Sequence, residues 1–336
     1  MNEWAEFRHF RYLLEIVRQK GFRAAAESLH TVQPNLSAQA RQFQESSGIQ
    51  LYRRLSGGRI EITETGQAFE VIAQDVLDAR DDAFAALIAI EHGEVQSLRL
   101  GCGPCVDQKL FHITCEAHRE MVRNCQILPV QSNSMHLVQE VIAGDIDAAL
   151  VTSPIKDERL HVEEIWHDRL VVCLRADHPL AVHSSLQADH LKGNLSILID
   201  PQRHPAAHEL LLKYLEEAGV HLREFSRASH PLEMQALVKE GFGFALISEG
   251  GTVDQELTTR PVAGTDWILG TSFVYRKQDY PKTIPALLRH LKSQLAAEAE
   301  PRHLPFVTKH FAKKSTEVKR RHNSQGDEPE QLSLLN

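Results

Sequence analysis

No run of eighteen apolar residues occurs in this 336-residue chain, and its first residues contain no short apolar core of a secretory leader. A spanning helix needs about 20 consecutive apolar residues, and a leader needs that core. The expectation is a cytoplasmic protein with no membrane partner. Cysteine is scarce at five residues, too few and too scattered for the disulfide framework of a secreted domain. A basic excess is missing too: the formal charge of −8 excludes a uniformly basic nucleic-acid coat but permits a local basic patch. Neither HExxH, GxSxG nor GxGxxG occurs, and the 19 histidines are dispersed. No catalytic residue, metal ligand or cofactor is therefore expected, and the chain does not read as an enzyme. Cys102 and Cys105 have redox-like or metal-like spacing, yet no second pair follows them, which favours core thiols.

What charge there is has been sorted along the chain. Residues 1–60 hold nine Lys/Arg against five Asp/Glu, residues 61–92 one against eight, and residues 301–322 seven against one. Within the basic head, FRHFRYLLEIVR at 7–18 puts Phe7, Phe10, Leu14 and Val17 at helical spacing, with Leu13 alongside. Gly21 breaks that helix, and 23–30 forms a short second one whose Ala25 and Ala26 permit close packing.

The stretch TVQPNLSAQARQFQ then carries a proline inside an otherwise helical pattern. In a helix interior Pro34 would remove a hydrogen bond and clash with the preceding turn. In the opening turn its missing N–H costs little, because those groups have no intrahelical partner. A second helix therefore starts near Val32, with Thr31 as the expected cap, and runs to about Ser46 before Gly48. Leu36, Ala40 and Phe43 form its buried face, and its amides and hydroxyls stay outside. Two short helices and a tight turn over 23–46 have the form of a helix-turn-helix. Uncharged polar side chains near a helix N-terminus suit base edges and phosphates in a major groove. LYRRLSGGRIEITETG follows, with Leu51, Leu55, Ile60 and Ile62 expected inward and Gly57-Gly58 as the turn of a hairpin wing. Arg53, Arg54 and Arg59 flank it, within reach of phosphates. An ordinary surface helix pair with a charged loop is the plainer interpretation of the spacing alone.

Residues 64–92 contain no proline, and Phe69, Ile72, Val76, Ala79, Ala83, Ala86 and Ile90 recur three and four apart, a seam for another helix. A long helix behind a small head is well placed to pair two copies. From residue 95 strand candidates at 97–102, 125–131, 147–152, 169–174, 195–199, 242–247 and 268–275 alternate with helical stretches near 107–121, 134–143, 206–218, 231–240 and 283–297. This is α/β alternation with room for two lobes, and ligands in such sheets bind at strand carboxyl ends or between lobes. The segments at those ends are small or polar: Gly103 and Cys105, Ser132 and Ser134, Thr152, Asp200, and Ser229 with His230. They are the candidate small-molecule contacts, although any one alone is commonly just a loop residue.

The head resembles that of the LysR-type transcriptional regulators, through FRHFRYLLEIVRQKGFRAAAESLHTVQPNLSAQARQFQE at 7–45, LYRR at 51–54 and ITETG at 62–66. Looser motifs extend the likeness through RLGCG (99–103), LVQEVIAGDIDAALVT (137–152), DRLVVCLRADHPLA (168–181) and VKEGFGFALISEG (238–250). The resemblance implies an α/β fold with an N-terminal winged helix-turn-helix over 1–63, a long linker helix over 64–94, and a two-lobed periplasmic-binding-protein-like effector domain over 95–298. Lobe I would comprise 95–168 plus 269–298 and lobe II 169–268, and a basic then disordered extension would occupy 299–336. It also implies partners: double-stranded promoter DNA, a small-molecule effector in the interlobe cleft, and self-association as a dimer or tetramer. The implied DNA contacts are Gln33, Pro34, Asn35, Ser37 and Gln39, with Arg53 and Arg54 near the wing. Val32, Ala38 and Ser47 depart from the family pattern, where serine, arginine and leucine are usual. Those departures motivate the alternative of a ligand-binding interaction module whose head no longer reads DNA specifically.

Overall fold

The computed structural model describes residues 5–55, 59–222 and 225–298. The expected Gly57-Gly58 turn and the 299–336 extension lie outside them. The chain divides after Gln294 into a large unit and a second one, of which only 295–298 are described, as the end of the last helix.

The head is built from α1 (Phe7–Gln19), α2 (Phe22–Ser28) and α3 (Gln33–Ser47), followed by an antiparallel pair, β1 (Tyr52–Arg54) and β2 (Ile60–Ile62). Lys20 closes α1 in the left-handed region, and Gly21 opens α2. Leu13, Leu14, Ile16, Phe22, Ala25, Leu36, Phe43 and Leu51 share one buried core. Phe10, Phe43 and Phe69 cluster within it at centroid separations of 5.7–6.3 Å. Two sequence expectations fail here. Phe7 is exposed, lying under the Arg80 guanidinium at 5.5 Å, and His9 and Ile16 are buried in its stead. Leu55 is exposed as well, although its N–H still bonds the Arg59 carbonyl across the wing.

The linker α4 (Glu64–Glu91) begins at Thr63, whose side chain accepts from the Gly66 N–H. A Cβ on Gly66 would come within 2.1 Å of the Leu51 carbonyl oxygen, so this glycine lets the wing lie directly on the helix. The expected seam is divided between two faces. Phe69, Ala73, Leu77, Ala86 and Ala89 are buried within the chain, while Val71, Ile72, Phe84, Leu87 and Ile88 are exposed.

Beyond α4 come β3 (Ser97–Cys102), α5 (Gln108–Met121), β4 (Gln126–Gln131), α6 (Ser134–Ala143), β5 (Ala148–Thr152) and β6 (Leu160–Arg175). They are followed by α7 (Ala188–Leu191), β7 (Leu195–Ile199), α8 (Pro205–Glu217), β8 (Ser226–Ala228), α9 (Pro231–Lys239), β9 (Phe244–Ser248), β10 (Leu257–Arg260), β11 (Ile268–Arg276) and α10 (Ile284–Glu298). The strands lie in the order β4-β3-β5-β11-β6-β9-β7-β8, with β10 also on β6. Strand β6 joins two halves. Its residues 160–169 pair with β11, and its last residues pair with β9 and β10. One hydrophobic cluster, including Leu137, Val141, Val151 and Val274, lies in the first half. A larger one, including Val172, Ile197, Leu211 and Phe244, fills the second. Parallel pairing of β3 with β4 and β5, and of β7 with β8 and β9, directs strand carboxyl ends in both halves toward the loops that open α5, α6, α8 and α9.

Candidate nucleic-acid interface and ligand cleft

Helix α3 displays Gln33, Pro34 and Asn35 on its exposed opening turn, while Leu36, Ala40 and Phe43 anchor its other face. Pro34 is the second helical residue, where it forfeits no intrahelical bond. The cap differs from the expectation. Val32, not Thr31, precedes the first helical residue, and its side chain offers no acceptor, so the N-terminus of α3 has no side-chain cap. Thr31 sits one residue too early, its N–H bonded to the Ala26 carbonyl. His30, in the turn between the helices, adopts φ +50°, the left-handed region.

Ser37 and Arg54 meet each other: Arg54 Nη2 donates to Ser37 Oγ at 2.7 Å, and the guanidinium lies 5.3 Å from the Phe22 ring centroid. Arg53 is exposed beside it, and Gln39 is half-buried, its Oε1 without a hydrogen-bond partner. Gln44 Oε1 accepts from the Leu51 and Tyr52 N–H groups, tying α3 to the wing. Ser47 donates to the Phe43 carbonyl and accepts from Ile49 N–H, so it finishes α3 by hydrogen bonding. Gly48 then leaves the helix at φ +71°. Among these, Gln44 is a contribution the sequence pattern did not single out, and Ser47, noted there only as a departure from the family pattern, proves to close the helix.

The candidate ligand residues fall into two cavities. The first, about 480 Å³, is lined by Gly103, Cys105, Ser132, Ser229 and His230, together with Asp107, Arg203 and Glu233. The second, about 340 Å³, is lined by Ser134 and Thr152, with Met135, Ile155, His204 and Ala206. Asp200 lines neither; its carboxylate accepts from Gln202 N–H and Ser229 Oγ and lies 3.9 Å from Arg203 Nε. Ser134 Oγ accepts the Thr152 N–H at 3.2 Å. Asp107, Arg203, His204 and Glu233 escaped the sequence reading, although an Asp before α5 and a His-Pro at the start of α8 are both helix-opening signals.

Burial pushes the Cys102 and Cys105 thiols up to about 12, while the Thr152 hydroxyl pulls Cys105 back less strongly. Such thiols hold almost no thiolate at neutral pH, which disfavours redox sensing by this pair. Cys105 also packs against the hydrophobic cluster of the second half of the sheet. Among the described residues no group of three or more His, Cys, Asp or Glu is arranged to hold a metal ion, and no helix is long and apolar enough to cross a membrane.

Residues 7–67 match the model of the bacterial regulatory helix-turn-helix proteins of the lysR family, and residues 91–296 match that of the LysR substrate binding domain. The chain belongs to the LysR family. This LysR-type protein is a DNA-binding transcriptional regulator with an effector-binding domain. It is 25% identical to the regulator BudR of Raoultella terrigena over 84% of this chain and 99% of that one. With the regulator CatR of Pseudomonas putida it shares 30% identity over 72% of this chain and 82% of that one. In fold, the regulator is similar to full-length CbnR complexed with its target DNA, with a TM-score of 0.53, 17% identity, and 87% and 100% of the two chains covered. Full-length BenM gives a TM-score of 0.53 at 22% identity, covering 89% of this chain and 100% of that one.

Proposed function

We propose that this regulator reads promoter DNA with the exposed opening turn of α3, and that a small molecule between the two sheet halves controls it. The observation that carries the reading is the combination of Gln33, Pro34 and Asn35 on an exposed helix N-terminus with Arg53 and Arg54 on the neighbouring wing. Gln33 reads a base edge, since a bidentate amide matches the N6/N7 edge of adenine. The uncapped N–H groups of α3 donate to a backbone phosphate. Arg54 exchanges its Ser37 partner for a phosphate on binding, freeing Ser37 for the DNA; Gln39 and Arg53 complete the contact set.

On this reading the chain comprises a winged head over 1–63, a linker over 64–94, an effector domain over 95–298 and an extension over 299–336. It acts in the cytoplasm, performs no bond chemistry, and assembles as a homo-oligomer through the exposed apolar side of α4. The effector acts by preferring one arrangement of the two halves, so its differential affinity moves the population of DNA-competent heads. Mapping of bound DNA across the source genome tests the function. Recurrent occupancy of a few promoters sharing one sequence pattern supports it. Uniform occupancy, or none, sinks it in favour of an interaction module that has lost its DNA specificity.

A further inference from the structure

At the start of α3, Val32 is a residue out of keeping with its position. It takes the N-cap place in extended backbone, at φ −99° and ψ 137°, and is 65% exposed. Valine is among the poorest N-cap residues, because it has no oxygen to accept the first N–H groups of the helix. Its isopropyl group also stands in water without reaching the core that Leu36, Ala40 and Phe43 enter from the same helix. A single exposed apolar side chain is ordinary on a protein surface. What distinguishes this one is its company: Gln33, Pro34 and Asn35 follow it directly, and all three are exposed.

The backbone that carries the isopropyl group is fixed on both sides. The Thr31 N–H is bonded to the Ala26 carbonyl at 2.9 Å, and the Val32 carbonyl accepts the Leu36 N–H at 3.3 Å. Leu36 itself is fully buried, and Pro34 sets the φ angle of the first turn. A β-branched side chain has few χ1 states, so ordering it against a partner costs little entropy. Helix α3 therefore presents two held methyl groups and, one residue on, a hydrogen-bonding amide. Phosphate oxygens offer an isopropyl group nothing. On the floor of the major groove the apolar group is the C5-methyl of thymine, and it is what such a side chain recognises there.

We propose that Val32 is a specificity-determining residue, its isopropyl group packed on the C5-methyl of a thymine in the base step next to the one read by Gln33. The inference rests on the reading of α3 as the helix that reads DNA, and adds a thymine requirement to it. Cytosine at the same place presents an amino group and no methyl, so Val32 discriminates against it. A serine there would cap the helix and tolerate either base. The exposed, uncapped valine thus exchanges helix stability for selectivity.

The test begins with selection of the preferred site from random duplexes by the full chain. Each thymine of that site is then replaced in turn by deoxyuridine, which pairs identically and lacks only the methyl group. Affinities are measured for wild type, Val32→Ser and Val32→Ala at roughly 0.15 M salt. One thymine, beside the adenine whose readout is lost in Gln33→Ala, should bind wild type about fourfold more weakly once its methyl is gone. Val32→Ser should bind the thymine and deoxyuridine sites equally while melting at a higher temperature. Val32→Ala leaves the helix uncapped as valine does and should also bind the two equally, which separates the methyl contact from capping. If no thymine shows this loss, the proposal is overturned. A loss that persists undiminished in Val32→Ser and Val32→Ala means that another group, such as Pro34, holds the methyl; that overturns the role of Val32 and leaves α3 as the reader. Failure of wild type to select any sequence overturns both.

Discussion

Val32 is the residue at which this head departs most visibly from a stable helix start. Its side chain is 65% exposed and cannot accept the N–H groups that a serine would satisfy. Val32→Ser should stabilise the protein by about 1 kcal/mol, measured as a higher denaturation midpoint at unchanged slope. Gly66 is the opposite case, a position with no room. Gly66→Ala would drive a methyl group to 2.1 Å from the Leu51 carbonyl oxygen and 2.7 Å from the Ile62 side chain. A cost of about 1–3 kcal/mol is expected, and DNA affinity should fall with it because the wing must move off α4. Buried histidines contribute to the acid response. His118 is wholly buried with neither ring nitrogen paired, and burial lowers its pKa, as it does for His204. Between those lowered values and the unfolded value of about 6.5, the unfolded chain binds more protons. Stability should therefore fall as the pH drops below about 6.5. His167 opposes this, since its Glu164 partner raises its pKa and adds stability that is lost as pH rises through the folded value. Urea titrations at several pH values check the balance: His118→Leu should flatten the acid loss, and an unchanged slope against pH would exclude this histidine as its source.

Individual elements were legible where periodicity was clean. Helices α1, α3, α4 and α6 were readable within one or two residues because apolar positions and turn residues agree. The first part of β6 was not, because His161, Glu163, Glu164 and Asp168 interrupt the alternation. Partners distant in sequence or across a turn of chain keep those side chains in a strand: Lys292 for Glu163, His167 for Glu164, and Trp166 Nε1 for Asp168. Short β8 and β10 carry too few residues for any pattern. The α4 seam was recognised as apolar but assigned to one face. Helical spacing does not say which apolar stripe meets the helix's own chain, and the aromatic contacts to Phe10 and Phe43 claim Phe69 for the head. The remaining stripe makes a direct prediction. Ile72 and Leu87 are 57% and 62% exposed, so Ile72→Glu combined with Leu87→Glu should leave the fold intact and dissociate the oligomer. Sedimentation should then report a monomer; an unchanged assembly would mean that another surface joins the copies.

At the scale of the whole molecule, the sequence indicated a DNA-reading head and a ligand-binding α/β body, yet it could not show how the candidate ligand residues are shared out. Ser132 and Ser134 are two positions apart and line different cavities. The His204 ring faces the Ser229 carbonyl 25 positions away, and Cys105 packs against the hydrophobic cluster of the opposite half of the sheet, contacts that the local sequence pattern does not show. Linker and body are also joined at a distance: Arg289 of α10 reaches Asp82 of α4 at 2.7 Å. Both partners are partly exposed, so the pair is worth at most about 1 kcal/mol, and Arg289→Ala should alter ligand-dependent DNA binding more than stability. A ligand-saturation series of DNA affinities, wild type against variant, checks that outcome. The central claim is that the opening turn of α3 reads sequence. Its most direct measurement is the ratio of affinities for a mapped promoter site and unrelated DNA, for wild type and Gln33→Ala, at roughly 0.15 M salt. The account predicts a large ratio for wild type, reduced in Gln33→Ala by about 1–3 kcal/mol with unrelated-DNA binding unchanged. Equal ratios in the two proteins would contradict it.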